Sequence, residues 1–158
     1  MKAVGYTASM PIDEADALID FVMEKPSPVG RDLLVEVRAI SVNPVDFKVR
    51  LRRQPDNDRP AVLGWDAVGE VVAVGDKATA FRPGDMVWYA GAIDRPGTKA
   101  EFHLVDERIV GRKPKTASAT EAAALPLTAL TAHEMLFDRL RVTDPVPGAA
   151  PAVLIIGG

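Results

Sequence analysis

Residues 33–42, LLVEVRAISV, alternate in their middle: Val35, Val37 and Ala39 fall on one side of an extended chain, Glu36 and Arg38 on the other. Successive side chains of a strand point to opposite faces, so this is the period of a half-buried strand and not of a helix. Residues 67–75, AVGEVVAVG, form a second β-rich run, with Gly69 and Gly75 where a bend or a close backbone approach is expected. DMVWYA at 85–90, AEFHLV at 100–105 and the opening KAVGYT add three more. Pro83-Gly84 and Pro96-Gly97 mark turns among them. Many short strands with frequent turns restrict the first two thirds of the chain to a barrel or a sandwich.

The pattern changes at Ser118. SATE at 118–121 is a capping box, in which the Ser118 hydroxyl accepts from the Glu121 N–H and the Glu121 side chain reaches back. Pro126 ends the helix that follows or opens the next one, and the helical pattern then runs to about Leu140. Residues 142–151, VTDPVPGAAP, read as a connector, and VLII at 153–156 reads as a buried-type strand that meets Gly157 and Gly158. Such a strand needs neighbours and a following helix. The expectation is that it begins a nucleotide-binding domain that continues past this sequence; the alternative is a strand that pairs with the barrel. Two glycines alone are a weak fingerprint.

The chain has 158 residues, enough for one domain with a real core. Its formal net charge of −3 gives no reason to expect a nucleic acid or an anionic membrane surface as partner. No apolar run approaches the roughly 20 residues that span a bilayer, and MKAVGYTASM lacks the apolar core of a secretory signal. Cysteine is absent, which removes disulfides and every thiolate metal site and suits a cytoplasmic setting.

Taken in order, MKAVGY, RDLLVEVRAISVNPVDFKVR, VLGWDAVGEVVAVG, FRPGDMVWYAG, RPGTKAEFHLVDERIV and EAAALPLTALTAHEMLFDRL resemble the medium-chain dehydrogenase/reductase superfamily. The resemblance is to its quinone-oxidoreductase-like branch, often labelled the zinc-binding alcohol dehydrogenase family. It implies a mainly β fold with helices (α+β): a GroES-like, partly open β-barrel, cut off at the first strand of a Rossmann domain. The expected divisions are a substrate domain over 1–117, interdomain helices over 118–141, and a linker with that first strand over 142–158.

Zinc-using members of the superfamily hold a catalytic zinc with Cys, His and Cys, and often a structural zinc with four Cys. Here Asn43 stands where the first Cys would be, Trp65 where the His would be, and Leu127 near the place of the last Cys. A site rebuilt from His103, His133, Asp46, Asp66 and Glu70 has no close ligand spacing. No zinc is therefore expected. His103 reads as a solvent-facing or hydrogen-bonded strand residue, and His133 as a surface or interdomain contact. The positions of the proton relay found in the metal enzymes hold Val45 and Lys48, and valine cannot shuttle a proton.

Hydride addition to a quinone or an enone builds its charge on a conjugated oxygen, where hydrogen-bond donors can replace a Lewis acid. The candidate catalytic donors are the Asn43 amide, the Lys48 ammonium and the Tyr89 hydroxyl. The resemblance places Thr131 near the nicotinamide end of the cofactor, Asn43 and Lys48 in cofactor contact, and Gly157-Gly158 at its phosphates. Trp65, Trp88 and Tyr89 are candidate pocket walls. Plainer roles compete: Asn43 as the N-cap of PVDFKVR, Lys48 as a solvated lysine, Asp46 as a turn residue or the partner of an arginine, and the aromatic residues as core. The expected function is that of a zinc-independent reductase of quinones or α,β-unsaturated carbonyls using NADPH, with NADH as the alternative cofactor. The 158-residue chain alone is expected to be inactive, and the complete protein to form a homodimer. The competing functions are a zinc-dependent alcohol dehydrogenase and a binding barrel without chemistry.

Overall fold

The computed structural model describes residues 1–55, 59–144, 146–148 and 152–156. They divide into two units, Met1–Leu127 and Thr128–Gly158.

The first unit holds two antiparallel sheets. The smaller runs β2-β1-β4, with β1 Lys2–Tyr6, β2 Ile19–Val22 and β4 Ala61–Val62. The larger runs β7-β3-β5-β6-β8, with β3 Asp32–Ser41, β5 Asp66–Val74, β6 Met86–Ala90, β7 Phe102–Asp106 and β8 Gly111–Arg112. The five runs read from the pattern are β1, β3, β5, β6 and β7. The short strands β2, β4 and β8 carry too few residues to show a period.

β3 and β5 form the central pair, from Leu33 opposite Val74 to Ser41 opposite Asp66. The register slips twice, between Leu34 and Val35 and again between Val37 and Ala39, so Arg38 has no direct partner on β5. Each slip bends the strand and adds twist, which curls the sheet towards a barrel. The slips also interrupt the alternation: Leu33, Leu34 and Val35 are all buried in succession. A Cβ on Gly69 would lie 2.3 Å from the Glu36 carbonyl oxygen, so only glycine allows β5 this close to β3. The turn expected at Pro96-Gly97 falls earlier, at Ile93-Asp94. Gly97 instead presses on the backbone of Leu63, where a Cβ would sit 2.3 Å from the carbonyl.

Inside the larger sheet Leu33, Val35, Ala67, Val71, Val87, Tyr89 and Val105 form one buried cluster. Tyr6, Leu63 and Trp65 form a second, flanked by Val45 and Val49 of α1 Pro44–Arg52. The third joins Val68 to Ala122 and Ala123 of α2 Ala119–Ala123, whose small side chains allow the helix to lie against the sheet. The capping box at the start of α2 is present: Ser118 Oγ accepts from the Glu121 N–H at 3.3 Å, and Glu121 accepts from the Ser118 N–H at 2.8 Å. Pro126 opens a new helix, α3 Pro126–His133.

In the second unit the helical path continues from α3 into a wider π-helical turn, Glu134–Arg139, which closes with the Leu140 N–H on the Met135 carbonyl at 2.9 Å. The His133 ring tilts against Phe137 with centroids 4.7 Å apart. Residues 153–156, whose pattern is that of a buried strand, form no strand here, and their side chains are exposed. An extended segment becomes a strand only by sharing backbone hydrogen bonds with a neighbour, and no described residue offers them. Parts of the expected connector and both Gly157 and Gly158 lie outside the described residues. No helix among the described residues is long and apolar enough to cross a membrane.

Candidate functional site

Asn43 occupies the N-cap position of α1, with extended backbone (φ −122°) and Pro44 opening the helix. Asn43 and Asp46 form a capping box: the Asn43 side chain is turned to the Asp46 N–H, and Asp46 Oδ2 accepts the Asn43 N–H at 2.9 Å. The Asn43 Nδ2 donates to Asp66 Oδ2 at 2.9 Å.

Asp66 is the first residue of β5 and is fully buried. Its other oxygen, Oδ1, accepts the Leu127 N–H at 2.9 Å. Helix starts leave such N–H groups without intrahelical partners, so a carboxylate beside the first turn of α3 satisfies one of them. The Thr98 hydroxyl reaches the Asp66 carbonyl at 3.4 Å. Burial raises the pKa of Asp66; the hydrogen bonds from Asn43 and Leu127 pull it back, and the nearby Asp46 pushes it up. Asp46 is buried as well. Its Oδ1 lies 3.2 Å from the Lys99 ammonium, close enough for an ion pair but not aligned as a hydrogen bond. The sequence reading gave Asp46 a turn role or an arginine partner; it caps the turn, and its cation is a lysine from a distant loop.

Two of the three positions at which the resemblance puts zinc ligands therefore meet on one carboxylate, Asn43 through its amide and Leu127 through its backbone; the third, Trp65, precedes Asp66 in the chain. Zinc requires thiolate, imidazole or carboxylate ligands in a tetrahedral set. Here one candidate is an amide whose nitrogen points at the carboxylate, one is a leucine, and one is an indole. Among the described residues no three His, Cys, Asp or Glu side chains come together as a metal could use them. The residues present do not fit zinc.

Trp65 is buried, and its Nε1 donates to the Ala92 carbonyl at 3.1 Å. It also lines a cavity of about 230 Å³ with Val49, Arg53, Ile93 and Pro96. Lys48 stands exposed on α1. Trp88 is half-buried beside α2, with Gly111 pressed on its indole. Tyr89 faces inward, and its hydroxyl meets His103 Nδ1 at 3.0 Å. His103 Nε2 lies 3.0 Å from the Pro96 carbonyl. A carbonyl only accepts, so Nε2 carries the proton and Nδ1 accepts from Tyr89. Burial raises the Tyr89 pKa and lowers that of His103 to about 4, so both stay neutral. Among the described residues no hydrogen bond joins Tyr89 to Asn43. Thr131 and His133 belong to the second unit, on α3.

The structure thus gathers Asn43 with Asp66, Asp46, Lys99 and Leu127, and keeps Tyr89 with His103 in the barrel. The sequence reading considered Asp66 only as a metal ligand and did not consider Lys99. The visible signal for Asp66 was a charge inside the apolar run GWDAVG.

A family model described as the alcohol dehydrogenase GroES-like domain matches residues 30–127. The chain belongs to that family. The GroES-like domain is 43% identical, over the whole of this chain, to a zinc-type alcohol dehydrogenase-like protein of Staphylococcus aureus (strain COL), of which it spans 47%. The chain therefore spans about half the length of the curated relatives it matches. A crystal structure from Rhizobium etli CFN 42, described as that of a candidate zinc-dependent alcohol dehydrogenase protein, is 64% identical with a TM-score of 0.95, covering 99% of this chain and 46% of that one. The structure of Escherichia coli quinone oxidoreductase complexed with NADPH is 26% identical with a TM-score of 0.75, covering 90% of this chain and 41% of that one. The chain thus belongs to the medium-chain dehydrogenase/reductase superfamily.

Proposed function

We propose that this GroES-like domain forms the acceptor-side wall of a zinc-independent, NADPH-dependent reductase of quinones or α,β-unsaturated carbonyls. The observation that supports the proposal is the Asn43–Asp66 hydrogen bond, which ties the side chain at the first expected zinc-ligand position to a neighbouring carboxylate. The E. coli quinone oxidoreductase supports both the acceptor class and the cofactor.

When bound, the nicotinamide cofactor supplies the hydride. Asn43 orients its nicotinamide end. The Lys48 ammonium donates to the acceptor oxygen on which charge develops and can deliver a proton there. Trp65 closes the apolar wall and keeps water from the transfer path. The Tyr89–His103 pair holds the barrel strands behind that wall. Reduction of a quinone or an enone suits such a site because the developing anion is delocalised and hydrogen bonds suffice to stabilise it.

The test is to follow NADPH oxidation by the full-length protein with a quinone, an enone and a saturated aldehyde. Turnover of the first two is expected. Failure with both would overturn the proposal. A zinc-dependent alcohol dehydrogenase is the second reading, favoured by the descriptions of the S. aureus and R. etli relatives. It requires zinc at one ion per chain and turnover of a simple alcohol.

A further inference from the structure

The cavity of about 230 Å³ against α1 has a buried floor of Tyr6, Leu63 and Trp65. Its volume lies just below the roughly 300–1,000 Å³ of drug-sized ligand sites, so it suits a molecule of about one ring. Three arginines stand in the same wall, Arg53, Arg59 and Arg95, with one carboxylate, Asp94. Arg95 is already matched: its two terminal nitrogens reach the two oxygens of Asp32 at 2.9 and 3.0 Å. Arg53 is not. Its Nη1 donates to the Ile93 carbonyl at 3.2 Å, which uses one N–H and leaves the charge uncancelled. The Tyr6 hydroxyl donates to the Arg53 carbonyl at 2.9 Å and ties that residue's main chain to the cavity floor. The charge is felt there: burial raises the Tyr6 pKa, and Arg53, followed by Arg50, pulls it back. Among the described residues, the ion pairs of the first unit engage Arg31, Arg38, Arg95, Lys99, Arg108 and Arg112, and neither Arg53 nor Arg59 takes part in one. Arg53 and Arg59 are exposed, so they stand at the mouth above the aromatic floor and face only the carboxylate of Asp94.

We propose that this cavity selects acceptors that carry a carboxylate on a small apolar body, with Arg53 binding the carboxylate and Arg59 adding a second positive charge at the mouth. The inference rests on the reading of Trp65 as a wall of the acceptor site and narrows the acceptor class. A guanidinium presents a planar fork of N–H donors that matches the two oxygens of a carboxylate, and it stays charged at every working pH. The apolar floor takes the ring, and the mouth takes the charge. A neutral acceptor of the same shape gains the first contact and not the second.

The test uses the full-length protein, NADPH and two enones of one shape: para-carboxybenzylideneacetone and its carboxamide. The charge stands across the ring from the reacting double bond. Hydride from NADPH adds to the carbon β to the ketone and a solvent proton reaches the α carbon, giving NADP⁺ and the saturated ketone. The intrinsic reactivity of each enone is the same for every variant and cancels when variants are compared. Wild type should favour the carboxylate about fivefold in kcat/KM, as much as a well-aligned exposed ion pair supplies. The factor should shrink as ionic strength rises. Arg59→Gln should lower it, and Arg53→Gln should bring it near parity. Arg53→Lys keeps the charge without the fork and should retain part of it.

A wild type without the preference would overturn the proposal, and so would a preference that Arg53→Gln leaves intact. If Arg53→Gln does not fold, Arg59→Gln decides in the same way. If neither enone is reduced, the reductase reading fails and the cavity is judged by binding alone, from the quenching of tryptophan fluorescence by benzoate and by benzamide. Tighter binding of benzoate that Arg53→Gln removes upholds the anion site. Equal binding of the two, or binding of neither, refutes it.

Discussion

The protonation of His103 is coupled to folding. Its folded pKa is lowered to about 4, chiefly by burial, while an unfolded histidine titrates near 6.5. Between those values the unfolded chain takes up a proton that the folded chain refuses. The contribution of neutral His103 is thus intact above about 6.5 and declines as pH falls towards 4, by up to about 3 kcal/mol. Asp85, Glu107 and Glu121, whose pKa values are lowered by hydrogen bonds, also lose their stabilising effect in acid. Asp66, with its raised pKa, works in the opposite sense. The histidine share is isolated by subtraction: urea unfolding of His103→Gln across pH 7 to 4 should show a shallower loss than wild type. Equal slopes would contradict the assignment. Tyr89→Phe should cost about 1–3 kcal/mol by leaving His103 Nδ1 buried without a donor, read from the same unfolding curves. His103 was legible as a strand histidine with a hydrogen bond, but its tyrosine partner was not. Cross-strand neighbours depend on the register, which no single strand's pattern contains.

The elements with a strong local signal were the ones read correctly. The capping box SATE and the helix-opening Pro126 are short-range devices, so residues 118–126 carry their own structure. Ser118→Ala should lower stability by about 1 kcal/mol, measured by thermal or urea unfolding. The β3–β5 pair shows the opposite case. The alternation identified both strands, but the slips at Leu34/Val35 and Val37/Ala39 are settled by the partner strand and by barrel closure. Gly69 was visible as a place of close approach, though its neighbour was not. Gly69→Ala should destabilise by more than a helix glycine would, because the new Cβ meets backbone that cannot move aside; no change in melting temperature would show that the strands can separate there. Residues 153–156 had a clear apolar pattern and no partner strand among the described residues, and pattern without a partner made no strand.

For the molecule as a whole, absence was as informative as presence. A chain without cysteine cannot build the thiolate zinc sites of its superfamily, and that was plain from composition. The cluster around Asp66 was not plain, because Asn43, Asp66 and Leu127 are far apart in sequence and meet only when α1, β5 and α3 are in place. The relatives that the chain matches are about twice its length. The 158-residue chain alone should not oxidise NADPH in the presence of a quinone, and measurable turnover by it would show that the barrel suffices for the reaction.

The central claim is that hydrogen bonds around Asp66 stand where a metal would otherwise act. Its most direct test is the rate of quinone-dependent NADPH oxidation by the full-length protein before and after exhaustive chelation. An unchanged rate is expected. A rate abolished by chelation and restored by added zinc would contradict it.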